Sequence, residues 1–388
     1  MTPPYTLWQL IVYFLRLGAL GFGGPVALVG FMRRDLVERR AWITEADYKE
    51  GLALAQLAPG PMAAQTAIYL GYVHYRIRGA TLAGIAFVLP SFFMVVALGW
   101  AYSQFGGLSW MQAVFYGVGA AVIGIIAISA HKLSVKSLGQ DRLLWAIFAV
   151  LAGVTIVTES EIAWLFLAAG VLTWLWRAPP KSWGAGGMGA LLPLPPSDLA
   201  ASSGLLAGLD WNLLTQIGLF FAKAGAFVFG SGLAIVPFLY GGVVTEHHWL
   251  NEKQFVDAVA VAMITPGPVV ITVGFIGYLV AGFPGACVAA LATFLPCYLF
   301  TILPAPYFKK YGKLPAIAAF VDGVTAAAVG AITGSVVVIA KRSIVDLPTA
   351  LMALATVAIL WKYKKLQEPV IVLGAALLGL LLYPLTHA

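Results

Sequence analysis

The chain has 388 residues, 61% of them hydrophobic and only 10% charged, with a mean hydropathy of +0.91, whereas soluble globular proteins carry about 45–50% apolar and about 25% charged residues. That composition excludes a soluble enzyme, and apolar stretches near the ~20 residues that a bilayer span needs predict an all-α polytopic membrane protein. The formal charge of +7 is spread over the loops between those stretches, which makes it a topological mark and not a nucleic-acid surface.

The first stretch, Leu7 to Met32, lacks the basic n-region and cleavage site of a removable signal peptide and carries Arg16 in its apolar run, so it reads as the first membrane element. Arg16 lies ~15 Å along that helix, where an ionised side chain is costly unless paired or facing water. It is a candidate for binding an anion, with snorkelling or a structural ion pair as alternatives. Gly21-Phe22-Gly23-Gly24-Pro25 then stops the helix, and Pro25 suits the first turn of a new one. Amides at Gly23 and Gly24 beside a helix N-terminus favour an anion; close helix packing is the competing use of such glycines.

The second stretch, Gly51 to Val73, is interrupted by Pro59-Gly60-Pro61. Two missing backbone donors and the restriction on residues before proline split it into pieces of about 8 and 12 residues. These are ~12 and ~18 Å long, too short for a ~30 Å hydrocarbon core. They fit a re-entrant helical hairpin whose tip, with Gln56, Gln65 and Thr66, lines a substrate site; a plain proline kink is the alternative. Glu45, Asp47 and Glu50 precede the hairpin on a short amphipathic stretch, as solvated groups or interfacial partners of Arg39, with Glu45 and Glu50 also candidates for carrying protons. Four more apolar stretches follow: Gly79 to Tyr102, Met111 to Ala130, Leu143 to Val157 and Ile162 to Trp176. The last two are only about 15 residues each, short for a full span.

Between Arg177 and Trp211 the composition turns to Pro, Gly and Ser, which predicts an extended linker. It separates an N-terminal repeat, 1–177, from a C-terminal repeat, 211–388, with the linker over 178–210. A shift of 207 residues aligns Phe14 to Ala67 with Phe221 to Gly274 without a gap, 16 of 54 positions being identical. Gly18 falls on Gly225, Phe22-Gly23 on Phe229-Gly230, Trp42 on Trp249, Glu45 on Glu252, and Pro59-Gly60-Pro61 on Pro266-Gly267-Pro268. Arg16 falls on Lys223, and after a one-residue slip Leu89-Pro90 falls on Leu295-Pro296. This is an internal duplication. The second copy adds a hydroxyl at Ser231, Thr265 and Thr272 at its tip, and Glu252 and Asp257 as counterparts of the acidic residues.

If all twelve stretches cross, the loops divide Lys and Arg 12 against 9; if each Pro-Gly-Pro stretch enters and leaves on one face, the division is 18 against 3, with Arg16 and Lys223 inside the membrane. The second division obeys the positive-inside rule. It places Arg33 to Arg40, His74 to Arg78 and the linker in the cytoplasm, and the Thr158 to Glu161 turn and both ends of the chain outside. Each half then makes about five crossings plus one re-entrant hairpin. An odd number makes the halves face opposite ways, an inverted-topology repeat of the kind found in secondary transporters. The short segments 143–157, 162–176, 348–361 and 369–383 do not alter that parity, because they drop out in pairs.

The five histidines lie in loops or at the chain end, with no HExxH or paired Asp motif, so no enzyme, metal or cofactor is expected. Cys287 and Cys297 stand ten apart on one predicted helix, ~15 Å along it and too far for a disulfide. The expected site joins Arg16 and Lys223, the amides at Gly23, Gly24, Gly230 and Ser231, and two Pro-Gly-Pro tips meeting near the midplane with Gln56, Gln65 and Thr265. A secondary transporter and a passive anion channel both fit such a site.

Phe14-Leu15-Arg16-Leu17-Gly18 through Phe22-Gly23-Gly24-Pro25, Trp42, and Ala55-Gln56-Leu57-Ala58-Pro59-Gly60-Pro61 with Gln65 resemble the chromate ion transporter family. Phe229-Gly230-Ser231-Gly232 followed by Pro266-Gly267-Pro268 is similar to the C-terminal repeat of its two-domain members. The resemblance implies an inner-membrane exporter of chromate, with sulfate or a related oxyanion as further substrates, energised by membrane potential or the proton gradient. Sulfate-type uptake is the alternative. The implied partners are the oxyanion and the lipid bilayer; a homodimer is left open.

Overall fold

The computed structural model describes residues 4–22, 24–106, 108–158, 163–179, 210–227, 229–230, 235–308, 314–344, 346–363, 366 and 368–386. Gly23, Ser231 and linker residues 180–209 lie outside the described residues. The fold is all-α. The first repeat comprises α1 (Leu7–Leu20), α2 (Gly24–Met32) running into a wider π-helical turn (Arg33–Arg39), α3 (Glu45–Leu57), α4 (Met62–Phe105), α5 (Ser109–Leu138), α6 (Arg142–Thr158) and α7 (Ala163–Arg177). The second comprises α8 (Trp211–Phe227), α9 (Ile235–Tyr240) with its π turn (Gly241–Glu246), α10 (Glu252–Ile264), α11 (Thr272–Ile302), α12 (Pro315–Ser343), α13 (Leu347–Lys362) and α14 (Glu368–Thr386). Among the described residues, four helices, Met62–Phe105, Ser109–Val135, Val269–Ile302 and Pro315–Lys341, are long and apolar enough to cross a membrane, and shorter apolar helices flank them. This is the architecture of a multi-pass membrane protein.

Backbone details recur between the repeats. Positive φ occurs at Ala41 and His248 (50° and 52°), at Gly60 and Gly267 (135° and 97°), and at Arg76 and Gly282 (51° and 60°). The side chains of Thr44 and Asn251 cap α3 and α10 by accepting from the amides of Asp47 and Gln254, which satisfies donors that a helix start leaves free. A Cβ on Gly18 would lie 2.2 Å from the Phe87 carbonyl oxygen, and one on Gly225 would lie 2.1 Å from that of Thr293. Only glycine lets α1 approach α4, and α8 approach α11, so closely.

Both α4 and α11 are broken. The backbone leaves helical geometry at Arg76 and at Ala281–Gly282, and the chain doubles back there: Gly71 lies against the Gly79 carbonyl, and Gly277 against that of Gly285. Before the first break, α3 and residues 62–75 form a helical hairpin around Gly60. Gly51 lies against the ring of Tyr69, each nine residues from the tip.

Tyr5 stacks on Trp42 with ring centroids 4.9 Å apart, and its hydroxyl lies 2.9 Å from His74 Nδ1. The start of α1 therefore sits at the same end of the molecule as the Trp42 segment and the Arg76 break. This corrects the expectation that Leu7 to Met32 makes one crossing. The 14 residues of α1 reach ~21 Å, stop where the Gly21 amide caps Leu17, and return as α2, a second hairpin.

The two long segments 77–105 and 283–302 run antiparallel. Thr81 Oγ1 meets the Tyr298 hydroxyl at 2.7 Å near one end, and Phe92 packs on Phe283 further along. At the far end of α4, Tyr102 meets Asp257 of α10. The Trp249 segment thus lies at the end opposite its counterpart Trp42. The last helix pairs interlock: α6 and α7 pack on α12, with Gly330 on Phe148 and Gly323 on Ala169, while α13 and α14 pack on α5, with Gly124 on Ala353 and Gly117 on Ala375. Arg177 ends α7 beside Asp141 and Asp322 at the Arg76 end. Phe221 stacks on Trp249, so α8 enters from the other end. Tyr383 on α14 donates to Gln112, at the start of α5. Tyr5 and Tyr383 therefore lie at opposite ends, which corrects the expectation that both chain ends share a face.

Candidate functional site

The four backbone breaks meet in two pairs. Gly60 and Pro61 pair in parallel with Phe229 and Gly230, so the Pro-Gly-Pro tip of the first repeat touches the glycine break of the second. Reciprocally, the amide of Gly267 donates to the carbonyl of Gly21 at 2.8 Å. Pro61, Pro266, Pro268 and Thr265 are buried and Pro59 is half-buried. Backbone outside regular helix is tolerated at membrane depth only where protein buries it or water fills the space. Each break ends one helix and begins another: α2 starts at Gly24, α4 at Met62 and the Val269–Ile271 turn leads into α11. First-turn amides there are the ready donors for an anion.

Side chains lock the crossing. Gln65 is fully buried, its Nε2 donates to the Pro59 carbonyl at 2.7 Å, and its Oε1 is buried with no donor among the described residues. Ser91 Oγ lies 2.8 Å from the Pro266 carbonyl and 3.2 Å from that of Gly18, tying the second tip to the first helix. Its counterpart in the slipped register is Cys297, fully buried beside Gly60. The motif reading passed over both, although they follow directly on the aligned prolines Pro90 and Pro296.

Other expected members stand apart. Gln56 is exposed on α3, away from Gln65. The hydroxyls of Thr265 and Thr272 are spent on the carbonyls of Val261 and Val269. Arg16 is exposed on the face of α1 that carries Trp8 and Leu20, about 200° around the helix from Phe14 and Gly18, which pack inward. Lys223 is likewise exposed, with Nζ 5.9 Å from the Phe238 ring centroid. The packing of the inner faces turns both cations outward, where sequence reading set them over one anion.

The acidic residues divide by environment. Glu45 binds Arg33 through two contacts of 3.2 and 3.3 Å, and that guanidinium holds its carboxyl below the usual range. Glu252 lies 3.4 Å from the Tyr240 hydroxyl, the counterpart of Arg33. Glu45 fastens the start of α3 to the first π turn, and Glu252 fastens the start of α10 to the end of α9, just before the second. Glu50 is half-buried and hydrogen-bonded by Tyr69 of its own hairpin. Asp257, its counterpart, is only 3% exposed and accepts a 2.7 Å bond from Tyr102 of the other repeat.

The family model for chromate transporters matches residues 8–174 and again 215–380, so the duplication read from the sequence is a duplication of that family's unit. The chain is 78% identical to the chromate transport protein of Cupriavidus metallidurans, over 99% of this chain and 95% of that one. It is 62% identical to a probable chromate transport protein of Synechococcus elongatus, over 98% and 97%. Identity to the chromate transport protein of Pseudomonas aeruginosa is 32%, over 98% and 94%. No solved structure matches the chain. With both repeats matched and relatives aligned end to end, the chain belongs to the chromate transporter family.

Proposed function

We propose that the protein is a secondary transporter that exports chromate across the cell inner membrane, through two inverted-topology repeats whose re-entrant hairpins meet at mid-membrane. The observation that carries this reading is the reciprocal pairing of breaks, Gly60–Pro61 with Phe229–Gly230 and Gly267 with Gly21, in a chain whose named relatives carry chromate. Discontinuous helices at a repeat interface are where transporters of this kind hold their substrates. The anion would lie among first-turn amides near Gly24, Gly60 and Gly267.

The antiparallel course of 77–105 and 283–302 supports the inversion. With two hairpins and four further helices per repeat, each repeat crosses an even number of times, so Arg177 at the end of α7 and Trp211 at the start of α8 stand on opposite faces. The end bearing Arg33, Arg34, Arg39, Arg40, Arg76, Arg78 and Arg142 is cytoplasmic by the positive-inside rule. Exporting a dianion from an inside-negative cell gains ~2.3 kcal/mol per charge per 100 mV, about 4.6 kcal/mol in all, or over a thousandfold in concentration. Voltage alone suffices as driving force.

Purified protein in liposomes, oriented by thiol labelling and given chromate or sulfate under imposed voltages, tests this. Chromate should accumulate on the positive side. Flux that rises without saturation as chromate is raised would favour a channel instead. Sulfate transport at equal rate would widen the substrate class to tetrahedral oxyanions.

A further inference from the structure

Asp257 is a buried carboxyl held by a partner from the other repeat. It is 3% exposed, among Phe255, Val256 and Phe275, and about one and a half turns into α10. The bond from the Tyr102 hydroxyl, 2.7 Å to Oδ2, ties the last turn of α4 to α10, the helix that leads into the Pro266-Gly267-Pro268 tip. No ion pair forms at Asp257 among the described residues. Tyr102 also lines a cleft of about 400 Å³ with Ser103, Gln112, Asn251, Lys253 and Gln254, which gives water a route to the pair.

The tyrosine–carboxyl pair of the other repeat is built differently. Glu50 stands at the equivalent place, but its tyrosine, Tyr69, belongs to its own hairpin. The residue matching Tyr102 in the slipped register is Phe308, which has no hydroxyl and packs near Leu54 and Tyr69. At the Trp249 end, a buried carboxyl is thus bonded by a tyrosine of the other repeat.

We propose that Asp257 is a proton-binding site that latches the two repeats together at the external face and releases them when it is loaded. This rests on the transporter reading above. An ionised Asp257 receives a charge-assisted bond from Tyr102, stronger than the same bond to a neutral carboxyl. A proton from cleft water adds to one carboxylate oxygen, while Tyr102 keeps its own hydrogen. The charge is lost, the bond weakens, and α4 can part from α10. The titratable groups nearest the pair on the elements around it are Glu252 and Lys253 on α10, Glu246, His247 and His248 before it, Tyr278 on α11, Tyr116 with Asp346, Lys341 on α12 and Tyr383 on α14. Lys253, one turn from Asp257 on its own helix, is the cation among these that favours the ionised, latched state.

The test uses the full chain in liposomes at fixed voltage, with pH varied on the Trp249 side. Chromate flux in the unaltered protein should rise as pH falls, by about tenfold per pH unit above the midpoint. Asp257→Asn retains an acceptor for Tyr102 but cannot be charged, and should run at the low-pH rate throughout. Tyr102→Phe should shift the midpoint to higher pH, and Asp257→Glu should restore a pH-dependent rate. A folded Asp257→Asn chain that keeps the original profile, or is inactive at every pH, overturns the proposal. A readout without substrate separates the two claims. With Cys287 and Cys297 replaced by alanine, the rate at which the thiol of Ser103→Cys reacts with an impermeant reagent, divided by that of free cysteine at the same pH to remove the loss of thiolate, should rise as pH falls, and this rise should vanish with Asp257→Asn. If both hold while chromate is not carried, the latch stands and the substrate reading fails; if the normalised rate ignores pH, the latch fails.

Discussion

Arg76 and Gly282 occupy equivalent positions in the two repeats and share one backbone conformation, φ 51° with ψ −139° and φ 60° with ψ −153°. In the second repeat a glycine takes this geometry at no steric cost. In the first an arginine is forced into it, because Gly71 and Gly79 must still meet across the break. A non-glycine residue there costs on the order of 1–3 kcal/mol, of which glycine's greater freedom in the unfolded chain gives back about 0.5–1 kcal/mol. Arg76→Gly should therefore stabilise the protein by about 1 kcal/mol and Gly282→Ala destabilise it by a similar amount. Thermal unfolding in detergent, followed by tryptophan fluorescence, checks both signs; an Arg76→Gly chain that unfolds earlier contradicts the strain argument.

The second prediction concerns the crossing. A Cβ on Gly267 would lie 1.9 Å from Ser91 Oγ, at a φ of +97° that L residues rarely adopt. Gly267→Ala should abolish chromate transport in liposomes. Removing the hydroxyl relieves the collision, so adding Ser91→Ala should recover part of the loss, with a coupling of about 0.5–3 kcal/mol between the two positions. Ser91→Ala alone leaves the Pro266 carbonyl unpaired and should slow transport modestly. Additive effects would mean that Ser91 and Gly267 do not meet in the working protein.

Much of this was legible in the sequence because duplication makes constraints visible twice. Pro59-Gly60-Pro61 and Pro266-Gly267-Pro268 announced hairpin tips, and Trp42 over Trp249 fixed the register. The first hairpin was not legible: Leu7 to Met32 is one apolar run by hydropathy, and only the stacking of Tyr5 on Trp42 reveals that it returns to its starting end. Side-chain direction was also hidden. Arg16 and Lys223 are conspicuous by charge, yet α1 and α8 are rotated by what Phe14 with Gly18, and Phe221 with Gly225, must bury. The Tyr102–Asp257 bond joins residues 155 apart, a pairing that no local pattern encodes.

Sidedness gives the third prediction. Arg177 is held by Asp141 and Asp322 at the Arg76 end, while α8 starts at the Trp249 end. Single cysteines at Ala178 and Asp210, in a chain with Cys287 and Cys297 replaced, should label with an impermeant reagent from opposite sides of the membrane. A cysteine at Arg39 should label with Ala178→Cys, and one at His248 with Asp210→Cys. Labelling of Ala178→Cys and Asp210→Cys from the same side would refute the even count of crossings per repeat.

The last prediction separates two roles for Arg16 and Lys223. A cation closing over a buried dianion makes directional, desolvated contacts, so its loss costs about 2–4 kcal/mol and arginine's planar fork cannot be replaced by lysine. A cation on an outward face instead raises the local concentration of the anion, an effect that salt screens over about 8–10 Å and that any positive charge provides. Both residues are exposed, Arg16 beside Trp8 and Leu20 and Lys223 over Phe238, which favours the second role. Arg16→Gln and Lys223→Gln should each raise the KM for chromate by about three- to tenfold, equivalent to about 0.7–1.4 kcal/mol, and leave kcat within about twofold. Arg16→Lys should behave as the unaltered protein, and the penalty of both neutral variants should shrink as salt is raised. If Arg16→Lys fails as completely as Arg16→Gln, with kcat falling at saturating chromate, then Arg16 touches the anion and α1 must turn its outer face toward the crossing during transport.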